Sequence, residues 1–111
     1  MAYWVLNTYT RPNLDKEFYI RRTVGEVKTL SAIGSKIVEL EEAGKITHYS
    51  IHYSEDTLTQ KVKIGFDTKE TYDTFKSFCD GQDEFTTTKS DFIVNESLSE
   101  SYVESESEPS V

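Results

Sequence analysis

Thr23-Val-Gly-Glu-Val-Lys-Thr-Leu-Ser-Ala-Ile-Gly-Ser-Lys-Ile-Val-Glu-Leu-Glu-Glu-Ala-Gly-Lys-Ile46 is the stretch that decides the fold. Val27, Leu30, Ile33, Ile37 and Leu40 recur at steps of three or four residues, which places them on one face of a helix. Glu26, Lys28, Ser35, Lys36, Glu39, Glu41 and Glu42 take the remaining positions, and Val38 widens the stripe at one edge. Thr23 and Glu26 fit a capping box, in which hydroxyl and carboxylate accept from orphan amides of the first turn. Gly44 suits the left-handed position that ends a helix, with Ile46 as the apolar contact beyond it. The predicted helix runs from about 25 to 43 and is about 28 Å long, at about 1.5 Å per residue. Its apolar stripe is the candidate core.

The flanks read as strands. Tyr3-Trp-Val-Leu-Asn-Thr-Tyr-Thr10 is rich in aromatic and β-branched residues. Arg11 to Asp15 forms a turn around Pro12 and Asn13. Lys16 to Thr23 alternates, with Phe18, Ile20 and Arg22 on one side and Tyr19, Arg21 and Thr23 on the other. These two segments could pair as a hairpin ahead of the helix. Beyond Gly44, Ile46 to Tyr53 is a strand with Thr47, Tyr49, Ile51 and Tyr53 facing one way and His48, Ser50 and His52 the other. A turn at Ser54 to Thr57 leads to a strand from about Gln60 to Phe66, with Val62, Ile64 and Phe66 inward and Lys61, Lys63 and Gly65 outward. Asp67 or Thr68 caps a second helix whose stripe is Tyr72, Phe75 and Cys79, flanked by Phe78 and ended by Gly81. A short strand around Asp91 to Asn95 is the weakest element.

This order predicts one α+β domain over residues 1–96. Its antiparallel sheet has four to five strands, with two helices on one face. The arrangement resembles ferredoxin-like, split βαβ domains. A ββαββα variant follows if the N-terminal hairpin replaces the first strand. That architecture hosts unrelated functions, so function has to come from particular residues.

Charge is divided unevenly. The chain of 111 residues carries a net charge of −8. Residues 82–111 hold eight acids against Lys89 alone, whereas residues 1–81 hold twelve acids and eleven bases. The body is nearly neutral and the acidity belongs to the end. From Ser97 to Val111, Ser and Glu dominate without apolar periodicity, which predicts a disordered acidic tail, either solubilising or able to occupy a basic surface. No apolar run approaches a membrane span, and no secretory leader is visible. The single cysteine, Cys79, excludes an internal disulfide, and a reducing, cytoplasmic setting is the expectation.

Chemistry-bearing patterns are sparse. His48 and His52 share one strand face, but their backbone positions lie about 13 Å apart at about 3.3 Å per residue, too far for a shared metal on that spacing. Neither can be given a nucleophile or carboxylate partner from sequence. Cys79 reads as a buried thiol on its helix stripe. The five glycines are isolated, so no phosphate loop is present. The sequence gives no catalytic residue, metal or cofactor site, and leans away from an enzyme.

The surface of interest is the sheet face away from the helices. The alternation assigns Tyr19, Arg21, His48, His52, Lys61 and Lys63 to it. Cations beside an aromatic ring could hold single-stranded nucleic acid. The similarity to an RNA-recognition sheet stops at Lys61-Val-Lys-Ile-Gly-Phe66, which lacks outward base-stacking aromatics. A second copy could pair there instead, with Tyr19 and the Tyr3, Tyr9 or Trp4 side of the first strand in contact. The expectation is a small non-enzymatic binding or accessory module working through protein contacts or as a homodimer. Nucleic-acid binding and a small dimeric enzyme are the alternatives.

Overall fold

A computed structural model of the chain describes residues 2–14, 32–82 and 99–111. Several expected features lie outside those residues: the strand at 16–23 with Tyr19 and Arg21, the capped first half of the long helix with Val27 and Leu30, and the short strand at 91–95.

Four strands and two helices are described: β1 (Tyr3–Thr10), α1 (Ala32–Glu42), β2 (Ile46–Tyr53), β3 (Thr59–Phe66), α2 (Lys69–Asp80) and β4 (Ser99–Ser105). The sheet order is β2-β3-β1-β4, and all neighbours are antiparallel. β3 thus lies between β1 and β2, and β1 between β3 and β4, which is the split βαβ arrangement taken twice. The N-terminal strand is therefore a central strand of the sheet.

Alternation in β1 and β3 places the core. Tyr3 pairs with Phe66, Val5 with Ile64 and Tyr9 with Gln60, and all of these residues are buried. Ile33 and Ile37 of α1 and Phe75 and Cys79 of α2 close over them, with Leu40, Tyr72 and Phe78 partly buried at the margin. Phe66 is 0% exposed, its ring centroid 5.4 Å from Tyr72 and 5.8 Å from Phe75. The described turns of the long helix thus bury the stripe read from the sequence.

The helix ends follow their chemistry. The Gly44 amide donates to Glu41 and the Lys45 amide to Leu40, with Gly44 at φ 72°, a Schellman ending. Lys45 fills the position beyond Gly44, so Ile46 serves instead as the first buried residue of β2. Thr68 caps α2 by accepting from the Thr71 amide, and Asp67 accepts from the Thr68 amide.

Two expectations need correction. Residues 99–105 do not belong to a disordered tail: they form β4, in register with β1 from Trp4 opposite Ser105 to Thr10 opposite Ser99. The sheet therefore extends past residue 96. Composition misleads here because an edge strand draws its order from backbone pairing and can do without buried apolar side chains. In β2, a register shift between Ile46 and His48 breaks the alternation. Ile46 is buried while Thr47, expected inward, is exposed. Ile51 and Tyr53 share the Val62 and Gln60 side of the sheet but are 39% and 54% exposed, because β2 is the edge strand and the described helices do not cover them.

Candidate functional site

Between sheet and helices lies a cavity of about 260 Å³. Val5, Val62, Ile64 and Phe66 from the sheet and Ile33, Ile37 and Phe75 from the helices supply its apolar wall. Its exposed lining residues, Lys76, Asp80, Tyr102 and Glu104, mark the mouth. Asn7 interrupts the apolar wall. It sits opposite Val62 on β3 and Tyr102 on β4, and its buried Oδ1 has no hydrogen-bond partner among the described residues.

The mouth is organised around Glu104. One carboxylate oxygen accepts from the Tyr3 hydroxyl at 3.1 Å, and the other accepts from the Tyr72 hydroxyl. The Tyr3 and Tyr72 ring centroids are 5.4 Å apart, and the Lys69 ammonium lies 5.9 Å from the Tyr3 ring centroid. Burial, then Glu104, raises the pKa of both hydroxyls. Burial likewise pushes the Tyr49 hydroxyl up to about 12, with Glu41 and Tyr53 adding to it. The buried Cys79 thiol is pushed up to about 12 by burial and then by Asp80. These groups are protonated at neutral pH, so none of them is a base or a nucleophile, and the Tyr3 and Tyr72 hydroxyls already donate to Glu104.

The other face of the sheet carries the residues singled out from the sequence. His48 pairs with Gly65, Ser50 with Lys63 and His52 with Lys61, so both histidines and both lysines share this face as the alternation requires. The imidazoles lean together: Ser50 Oγ lies 2.7 Å from His48 Nε2 and 2.8 Å from His52 Nε2. Backbone spacing argued against a shared metal, and the two rings meet instead at one hydroxyl. No group of three or more metal-ligating side chains occurs among the described residues.

Lys63 is not the exposed cation that alternation suggests. It is 7% exposed, its ammonium lying 5.2 Å from the Trp4 ring centroid and 2.8 Å from a Glu108 oxygen. Trp4 in turn lies 5.8 Å from the His48 ring and covers Gly65, where an added Cβ would meet the indole at 2.7 Å. Leu6, also on this face, is 7% exposed. Tyr3 and Tyr9, offered as contacts for a second copy, are buried in the core instead, whereas Trp4 does face this side. Tyr19 and Arg21 lie outside the described residues.

Asn7 and Glu104 were not singled out from the sequence, and Tyr72 was placed there only on the apolar stripe of the second helix. Asn7 left a trace, a polar residue at the inward parity of an otherwise apolar series, Tyr3, Val5 and Tyr9. Glu104 left none, because its segment has the composition of a tail.

No protein-family model matches the chain, and no curated protein matches it. Solved structures do. A dimeric ferredoxin-like protein from an uncultured marine organism superposes with a TM-score of 0.68 at 10% identity, over 99% of this chain and 98% of that one. A NIPSNAP family protein of unknown function from Agrobacterium tumefaciens gives 0.56 at 7% identity, over 96% and 88%. A candidate antibiotic biosynthesis monooxygenase from Caulobacter crescentus gives 0.51 at 10% identity, over 96% and 89%. Together with the strand order, these likenesses show a ferredoxin-like α+β fold.

Proposed function

We propose that this domain binds a small, mostly apolar molecule between its sheet and its helices, as a binding or accessory module. The cavity carries the proposal, and above all Asn7 Oδ1 buried in its wall. An unpaired buried acceptor costs about 1–3 kcal/mol, a cost that a ligand hydroxyl or N–H would remove. The volume of about 260 Å³ lies between the roughly 150 Å³ cavity that takes benzene and the roughly 300 Å³ at which drug-sized pockets begin. A one- or two-ring molecule with a single donor fits those limits. Self-association is supported by the dimeric marine neighbour and by exposed Tyr102 and Val103 on β4.

A small dimeric enzyme is the second reading. It is favoured by Glu104, the carboxylate placed by two tyrosine hydroxyls at the cavity mouth, where it could take a proton from a bound molecule. Nucleic-acid binding has less support, because the Lys63 ammonium is already engaged by Glu108 and Trp4.

Titration with 2-naphthol and with naphthalene tests the first reading. The wild-type chain should bind 2-naphthol the more tightly, by about tenfold for one satisfied acceptor. Asn7→Leu should erase that preference while retaining naphthalene. Binding of neither probe, or a preference that survives Asn7→Leu, would overturn the proposal.

A further inference from the structure

The outer face holds an occupied site that the cavity does not explain. The Lys63 side chain is buried, and a buried ammonium without a counter-charge is strongly disfavoured. Its counter-charge is Glu108, on the segment 106–111 that follows β4. The Glu108 carboxyl is held below its usual value by the Lys63 hydrogen bond first, with the Lys63 and His48 charges adding to it. The Trp4 ring lies beside the Lys63 ammonium, and Gly65 leaves room for the indole. The site thus consists of an ammonium, an aromatic face and a nearby imidazole, arranged around one carboxylate that the chain itself supplies.

We propose that Trp4, Lys63 and His48 form a receptor site for an extended acidic peptide, and that residues 106–111 occupy it in cis. The resident segment identifies the chemistry of the partner: Ser105-Glu-Ser-Glu-Pro-Ser-Val111 presents Glu108 to Lys63. When the segment leaves, Lys63 loses its counter-charge, and the face then selects another carboxylate on a flexible acidic chain. Residues 106–111 are a built-in competitor, and a partner binds by displacing them. Strand β4 stays in the sheet throughout, because its register with β1 ends at Ser105.

Trp4 is the only tryptophan of the chain, so its fluorescence reports this site alone. Three proteins are compared: the full chain, a chain ending at Ser105, and that shorter chain with Lys63→Met. Iodide, an anionic quencher, and acrylamide, a neutral one, probe access to Trp4. Removing residues 106–111 should raise iodide quenching several-fold relative to acrylamide, because an unpaired Lys63 attracts the anion. A synthetic peptide of residues 105–111 should then protect Trp4 saturably in the shorter chain. The same peptide with Glu108→Gln should bind at least tenfold more weakly, and Lys63→Met should abolish the effect. The full chain should resist the peptide until Glu108→Gln is introduced into it. The Glu and Gln peptides are compared on one unaltered protein, so the test stands even if Lys63→Met fails to fold. Unchanged quenching on truncation would overturn the proposal, as would equal binding of the two peptides. A shorter chain that dimerises and ignores the peptide would overturn it too, and would assign the face to a second copy.

Discussion

The two faces of the sheet are made by alternate residues of the same strands, yet they are held by different forces. On the helix side, Tyr3, Val5, Tyr9, Val62, Ile64 and Phe66 are buried against Ile33, Ile37, Phe75 and Cys79. Apolar burial dominates there, and the one polar intrusion from β1, Asn7, lines the cavity with an unpaired buried acceptor. On the outer side, Trp4, Lys63, Ser50 and the two histidines meet through charge, ring contacts and hydrogen bonds. The comparison teaches that burial alone does not identify a core: Lys63 is about as buried as Tyr3 or Ile64, yet its ammonium lies against Trp4 and is paired with Glu108.

Phe66→Ala should have the largest effect, because it empties a fully buried position against both Tyr72 and Phe75. A loss of about 3–5 kcal/mol in denaturant melts is expected. A loss below about 1 kcal/mol would place the packed face elsewhere.

Gly65→Ala probes the outer face by the opposite route, adding an atom where Phe66→Ala removes several. The new Cβ would meet Trp4 at 2.7 Å and the Thr47 hydroxyl at 3.0 Å, so the indole must shift. A cost of about 1–3 kcal/mol with a changed Trp4 emission is expected. Unchanged emission would show that Trp4 does not lie over Gly65.

The smallest effect is electrostatic and separates the faces by pH. The Glu108 carboxyl is lowered in the folded chain, chiefly by Lys63. Its contribution is complete above the unfolded carboxyl value, about 4.3, and is lost as pH falls through the lower folded value. Trp4 emission should therefore show an acid step below about pH 4.3 that disappears in Glu108→Gln. Melts should show little loss from this step, since Glu108 is largely exposed. An acid step of the same size in Glu108→Gln would detach Glu108 from the site.

Much of the helix side was legible in the sequence. The spacing of Ile33, Ile37 and Leu40, the alternation of Val62, Ile64 and Phe66, and the turn chemistry of Gly44 and Thr68 are local signals, and local signals survive without a structure. The rest depended on partners far along the chain. β4 was hidden by its Ser and Glu composition, because pairing with β1 holds it. With β4 hidden, Glu104 could not be placed beside Tyr3 and Tyr72, nor Glu108 beside Lys63. The shared face of His48, His52, Lys61 and Lys63 followed from alternation, but the burial of Lys63 did not. A single register shift at Thr47 was likewise invisible to period counting.

The division of labour between the faces can be measured in one experiment. Methyl-labelled Ile, Leu and Val place probes on both sides of the sheet: Val5, Ile33, Ile37, Val62 and Ile64 around the cavity, and Leu6 and Val103 on the outer face. Titration with 2-naphthol, followed by methyl chemical shifts, should move the cavity group saturably with a single affinity and leave Leu6 and Val103 in place. Shifts confined to Leu6 and Val103, or no saturable shift at all, would contradict the assignment of ligand binding to the helix side.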